Sequence, residues 1–242
     1  MKQRLLSPEE VEEYSVVVET YHPNGQVVVD FARSHFAVIA GPTGVGKDSL
    51  RNLLVQDQDF IKILSTTSRP PRPNERDDVD YHFRDLDFFD QGIEERRFLQ
   101  IALVHNQQLS CLDFRDVEQL ASGQIGLSLL VVQTEISLRK LNPDLKTIFL
   151  VPPSMEELLE RMQKDRKIAE DEIKRRVDAA SSELQTALNQ PSYYCIVNED
   201  LNFAKELATK FLFTNDINAE ENSKARNLIK DILSKNIGVT ND

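Results

Sequence analysis

The chain has 242 residues, 40% of them hydrophobic, enough for one large α/β domain or two small ones with a real core. Its formal charge of −11 argues against wrapping nucleic acid by phosphate neutralisation, and a nucleotide is the more natural phosphate ligand. Cys111 and Cys195 stand far apart, outside any Cys-x-x-Cys or metal-ligand spacing, and read as buried free thiols of a reducing compartment. The first ten residues lack the apolar core of a signal peptide and no apolar run reaches about 18 residues, so a soluble cytoplasmic protein without a membrane partner is expected.

Residues 1–34 carry Val16-Val17-Val18 and Val27-Val28-Val29 on either side of His22-Pro23-Asn24-Gly25. Two β-branched runs around an Asn-Gly turn predict a β-hairpin, an extension attached to the main domain. Phe36-Ala37-Val38-Ile39-Ala40 has the character of a strand buried on both faces, and Asp48 to Leu54 has helical spacing. Between them lies Gly41-Pro42-Thr43-Gly44-Val45-Gly46-Lys47-Asp48, a phosphate-binding loop. Its glycines let backbone N–H groups turn inward around an anion, and Lys47 adds a positive charge for the β/γ-phosphates of ATP. An ordinary Gly/Pro turn would not bring both flanks in the required order. Gly41, Thr43, Gly44, Val45, Gly46, Lys47, Asp48 and Ser49 are therefore the expected ATP phosphate-binding set. Asp48 occupies the place of the Ser/Thr whose hydroxyl normally holds Mg²⁺. Its carboxylate is a hard oxygen ligand that can hold Mg²⁺ directly or through water, with Ser49 assisting. A plainer role is equally open, because a carboxylate near a helix N-terminus gains about 0.3–1 kcal/mol from the macrodipole.

Further strands are expected at Ile61–Leu64, Leu127–Val132, Thr147–Val151 and Tyr193–Val197, separated by helical patterns. The economical topology is a central parallel sheet with helices on both faces. Residues 66–115, rich in Arg, Pro and Asp, interrupt the alternation and read as a small lobe. Residues 154–188 form two charged helical stretches joined near Lys164-Asp165-Arg166-Lys167, with Arg161, Arg166, Arg175 and Arg176 nearby. Such runs form a solvated, salt-bridged helix pair, or a lid that carries arginines toward phosphates. Beyond residue 214 a polar linker and the amphipathic run Ala225–Leu233 predict a C-terminal helical extension over 214–242.

The next motif, Ser65-Thr66-Thr67-Ser68-Arg69-Pro70-Pro71-Arg72-Pro73-Asn74-Glu75 followed by Val79-Asp80-Tyr81-His82-Phe83, is a phosphate clamp on its own terms. Two arginines three apart on a Pro-stiffened loop can grip one phosphate from two sides, and a tyrosine hydroxyl supplies a further donor. It closely resembles the monophosphate-binding segment of guanylate kinases. The resemblance continues through Pro152-Pro153-Ser154 and Asn198-Glu199-Asp200-Leu201 and covers roughly residues 35–213. It implies a P-loop NTPase fold with a small mixed substrate-binding lobe at 66–115 and a helical lid at 154–188. Residue by residue, Arg69, Arg72 and Tyr81 match the family's acceptor-phosphate ligands, and Ser65 matches a residue that touches guanine. Arg161 and Arg176 match lid arginines and join Lys47 as the implied catalytic set, while Asp165 stands where the pattern has another arginine.

The chain departs from that family where guanine and metal are read. Gln100 stands at the position of a Glu, Leu109-Ser110-Cys111 replaces a Tyr-Gly-Ser/Thr segment, and Leu129 and Val131 replace two acids. A carboxylate accepts both N1–H and N2–H of guanine, whereas the Gln100 amide offers one acceptor and sets a donor against a donor. The resemblance thus implies transfer of the ATP γ-phosphate, with Mg²⁺, to GMP or another phosphorylated acceptor, with weakened guanine recognition. Gly-Lys-Asp-Ser-Leu also resembles the loop of ribose 1,5-bisphosphate phosphokinases, relatives that act on a phosphorylated sugar. The alternative functions are a catalytically inactive nucleotide sensor and an interaction module like the guanylate-kinase domains of membrane-associated scaffolds. The intact glycines and Lys47 weigh against the last.

Overall fold

The N-terminal stretch folds as two helices, not as the expected hairpin. In the computed structural model of the chain, which describes residues 3–163 and 170–237, α1 spans Pro8–Thr20 and α2 spans Gly25–Arg33. Ser7 caps α1 through the Glu10 N–H while the Glu10 carboxylate returns to the Ser7 N–H, and Pro8 occupies the first turn. Asn24, read from sequence as a turn residue, accepts from the Val27 N–H and caps α2. Asn suits a hairpin turn because it tolerates positive φ, but here it sits at φ −68° and its side chain serves as a helix cap instead. Beside Arg4 and the Ser7 N–H, the Glu10 carboxyl is held down to about 2. Ser7→Ala should therefore lower stability by about 1 kcal/mol with loss of helical signal; a thermal melt followed by circular dichroism checks this.

Next in order come β1 (Phe36–Ala40), α3 (Lys47–Leu54), β2 (Phe60–Lys62), β3 (Thr66–Thr67), β4 (His82–Phe83) and α4 (Leu86–Glu94). They are followed by β5 (Phe98–Val104), β6 (Gln108–Asp113), α5 (Phe114–Glu118), β7 (Ile125–Leu129), α6 (Val132–Leu141) and β8 (Lys146–Val151). The last elements among the described residues are α7 (Met155–Gln163), α8 (Glu170–Leu188), β9 (Tyr193–Val197), α9 (Leu201–Thr214) and α10 (Ala219–Ile237). The sheets are a five-stranded one in the order β2-β7-β1-β8-β9 and a four-stranded one in the order β4-β3-β6-β5. This is the expected α/β fold with a central parallel sheet flanked by helices.

The chain divides into two compact units. The first takes residues up to Phe36 with Ile61–Ser128 and Ile136–Leu145, so the N-terminal helices belong with the lobe. In this unit β3 pairs parallel with β4 and antiparallel with β6, which pairs antiparallel with β5, giving the expected mixed lobe. Helix α1 packs on β5, and its Tyr14 joins Leu6, just before the helix, in one buried cluster with Phe89, Phe98 and Leu109. Each such apolar side chain contributes about 1.5–3 kcal/mol on burial. The Tyr14 hydroxyl donates to Asp90 at 2.6 Å, which satisfies the polar end of that side chain.

The second unit takes Ala37–Phe60, Leu129–Glu135 and Lys146 onward. Strands β1, β8 and β9 run parallel in register, Val38 opposite Thr147 and Phe149 opposite Cys195, and β1 and β9 are buried at every position. The expected C-terminal helix is α10, whose Ala225, Ile229 and Ile232 are buried, with Arg226 donating to the Gln190 and Tyr193 carbonyls. Among the described residues no helix is long and apolar enough to cross a membrane. The lid junction read at Lys164-Asp165-Arg166-Lys167 lies outside the described residues.

Candidate functional site

The phosphate loop sits between β1 and α3 in the second unit, with Gly41, Gly44 and Gly46 all at positive φ (136°, 83° and 102°). A Cβ on Gly46 would lie 2.4 Å from the Asn198 amide nitrogen, so the close approach needs glycine as much as the left-handed backbone does. Asn198 donates to the Val45 carbonyl at 2.7 Å, and Arg161 reaches the same carbonyl at 3.4 Å and the Asn198 carbonyl at 3.0 Å. Val45 is thus the point at which the loop is braced from behind, by the Asn198 that follows β9 and by α7.

Lys47 curls back over its own loop, donating to the Gly41 carbonyl and, at 2.9 Å, to that of Pro42. Burial lowers the affinity of its amine for a proton, while Glu183 and Asp48 oppose that shift. Glu183 on α8 escaped the sequence reading. Its carboxyl is pushed up by burial, against the pull of Lys47, and one oxygen is buried without a hydrogen-bond partner. The available signal was an acid flanking the buried stripe Ala180, Leu184 and Ala187.

Asp48, in the first turn of α3, has a side chain 76% exposed and bonded to Arg51 at 3.0 Å. Ser49 is exposed beside it. One hard carboxylate with a neighbouring hydroxyl fits Mg²⁺, which keeps waters and phosphate oxygens as most of its ligands. Among the described residues no group of three or more His, Cys, Asp or Glu could cage a metal by itself. Of the arginines expected to belong to a lid, Arg161 pairs with Glu157 at 2.5 Å and Arg176 with Glu172 at 2.6 Å, each one helical turn away.

The residues expected to bind the acceptor, Ser65, Arg69, Arg72, Tyr81 and Gln100, lie in the first unit. Arg69 is nearly buried, its guanidinium 5.2 Å from the Tyr81 ring centroid and 5.3 Å from that of Phe83. Tyr81 is the exposed member of this stack, and the Ser65 carbonyl accepts from the N–H of His82, next to Tyr81. Arg69, Tyr81 and Ser65 are therefore brought together. Arg72 joins them through its backbone, bonded to Glu75, while its side chain stays 74% exposed. Gln100 is half-buried on β5 opposite Leu112, and β6 separates its strand from β3. Leu109 and Cys111 are buried in β6, Leu109 being bonded through its backbone to Ser68. At the tip of β7 the strand stops at Leu129, because Val132 already opens α6, and Val131 is exposed.

A strand, a glycine loop closed by lysine and a helix, with a separate mixed lobe carrying paired arginines, define the class of P-loop phosphotransferases. The family model "Guanylate kinase" matches residues 33–214. A guanylate kinase of Myxococcus xanthus is 37% identical over 166 residues, covering 67% of this chain and 78% of the relative. One of Hydrogenovibrio crunogenus is 31% identical over 199 residues, covering 82% and 97%. The crystal structure of guanylate kinase from Anaplasma phagocytophilum shares the fold, with a TM-score of 0.56 at 21% identity over 78% of this chain and 89% of that one. The chain belongs to the guanylate kinase family, whose members are nucleoside monophosphate kinases.

Proposed function

We propose that the chain transfers the γ-phosphate of ATP to the phosphate of GMP, and that it selects guanine less strictly than its family pattern would. The observation that supports this reading is the stack of Arg69 on Tyr81, with the Arg72 backbone tied to the Glu75 carboxylate that holds Arg69, an arrangement suited to one phosphate that a nucleotide sensor would not need. An acceptor phosphate oxygen forms the new bond to the γ-phosphorus, the bridging oxygen to the β-phosphate leaves with ADP, and no side chain needs to act as nucleophile. Lys47 meets the β/γ-phosphates, Arg69, Arg72 and Tyr81 hold the acceptor phosphate, Ser65 and Gln100 border the base, and Arg161 and Arg176 offset the developing charge. Asp48, assisted by Ser49, would hold Mg²⁺, which when bound neutralises triphosphate charge. A cytoplasmic setting agrees with the two buried free thiols, Cys111 and Cys195.

The test is a coupled ADP-release screen across nucleoside monophosphates and phosphorylated sugars with Mg²⁺ present. GMP should be turned over, with AMP accepted at a rate within about two orders of magnitude, the worth of one charge-assisted base contact. Turnover of a phosphorylated sugar alone would move the chain toward the ribose 1,5-bisphosphate phosphokinases. ATP binding without turnover of any acceptor would establish the inactive sensor instead.

A further inference from the structure

Glu75 lies in the first unit with the acceptor arginines and has no role in the reading above. Its carboxylate meets the end of the Arg69 guanidinium at two points, Nη1 to Oε2 at 2.5 Å and Nη2 to Oε1 at 2.8 Å. Oε2 also accepts the backbone N–H of Arg72 at 2.8 Å, so one carboxylate ties together both arginines of the grip. Nη1 spends its second hydrogen on the Pro70 carbonyl at 3.0 Å. A guanidinium has five N–H bonds, and these contacts use three of them. The two left over are Nε–H and the outer hydrogen of Nη2, which point the same way along one edge of the plane. That edge is a complete bidentate fork for a phosphate, and the rings of Tyr81 and Phe83 fix the plane that carries it.

We infer that Glu75 is a positioning residue for the acceptor phosphate: it occupies the end of the Arg69 guanidinium and so presents the remaining edge as a preset two-point donor. The inference rests on reading Arg69 as an acceptor-phosphate ligand. A contrary role, in which Glu75 is a stand-in anion that the phosphate displaces, is disfavoured by burial. The Arg69 and Glu75 side chains are 10% and 16% exposed, and stripping a partner from a shielded pair leaves a charge without compensation. The Arg69 guanidinium also holds the Glu75 carboxyl below the usual range, so the pair stays ionised.

The experiment is titration calorimetry of GMP and, separately, of ATP with wild-type protein, Glu75→Gln, Arg69→Ala and the double variant. Glu75→Gln should weaken GMP binding roughly tenfold or more while leaving ATP binding within about twofold, and should add nothing in the Arg69→Ala background. A loop that Glu75 merely stabilises would instead show additive losses. Unchanged or tighter GMP binding by Glu75→Gln, or additive losses, overturns the proposal. Should wild-type protein fail to bind GMP, the functional reading falls, and inorganic phosphate followed at the Arg69 side-chain NMR signals still judges Glu75. An Nε–H shift with the two Nη signals remaining distinct supports it; merging of those signals, or no Nε–H shift, overturns it.

Discussion

Replacing Lys47 with alanine is expected to lower kcat/KM with ATP by roughly a thousandfold, about 4 kcal/mol of transition-state stabilisation. The size follows from where the amine sits. It is half-buried, and its hydrogen bonds go to the carbonyls of Gly41 and Pro42, the acceptors that its own loop offers. A triphosphate replaces those neutral acceptors with anionic oxygens whose charge grows as the γ-phosphoryl departs, so the contact strengthens along the reaction. Alanine removes that gain without reshaping a loop held at Val45 by Asn198 and Arg161. Coupled ADP release as a function of ATP concentration measures the effect. A loss below tenfold would mean that backbone N–H groups and other cations carry the phosphates, and that Lys47 only braces its own loop.

What the sequence made legible was local. Strands β1 and β9 run over the residues expected, and the phosphate loop falls between its strand and helix, because a buried apolar run and a glycine pattern each act within a few residues. The N-terminal region misled for a related reason. The valine triplets have strand propensity, but Ser7-Pro8-Glu9-Glu10 is a helix start, and packing of Tyr14 and Leu6 beside Phe98 decides the outcome. The end of β7 was read too far because Leu130-Val131-Val132 is apolar throughout, although Val131 is exposed and Val132 starts a helix. Glu75 and Glu183 were invisible as site residues. The first looks like one more charge in a polar loop and the second like one more acid on a charged helix, and only folding shows Glu75 bonded to Arg69 and Glu183 buried within the field of Lys47.

The double substitution Gln100→Glu with Val131→Asp should raise the preference for GMP over AMP by one to two orders of magnitude in kcat/KM. Guanine presents N1–H and N2–H, two donors that a carboxylate can take together, whereas a glutamine amide has one acceptor oxygen and would set its N–H₂ donor against a donor. A charge-assisted bond is worth about 1.5–3 kcal/mol, and an unmatched donor is penalised more than a matched one is rewarded. Gln100 is half-buried on β5, so the new carboxylate would be partly shielded from water, while Val131 is exposed and accepts a charge at small cost. Initial rates with both monophosphates, before and after the change, give the ratio directly, and thermal melting confirms that the strand tolerates the acid. If the unmodified protein already prefers GMP by more than a thousandfold, Gln100 is not a weakened reader. The neighbouring half-buried Ser110, on the strand paired with β5, would then be the next residue to test.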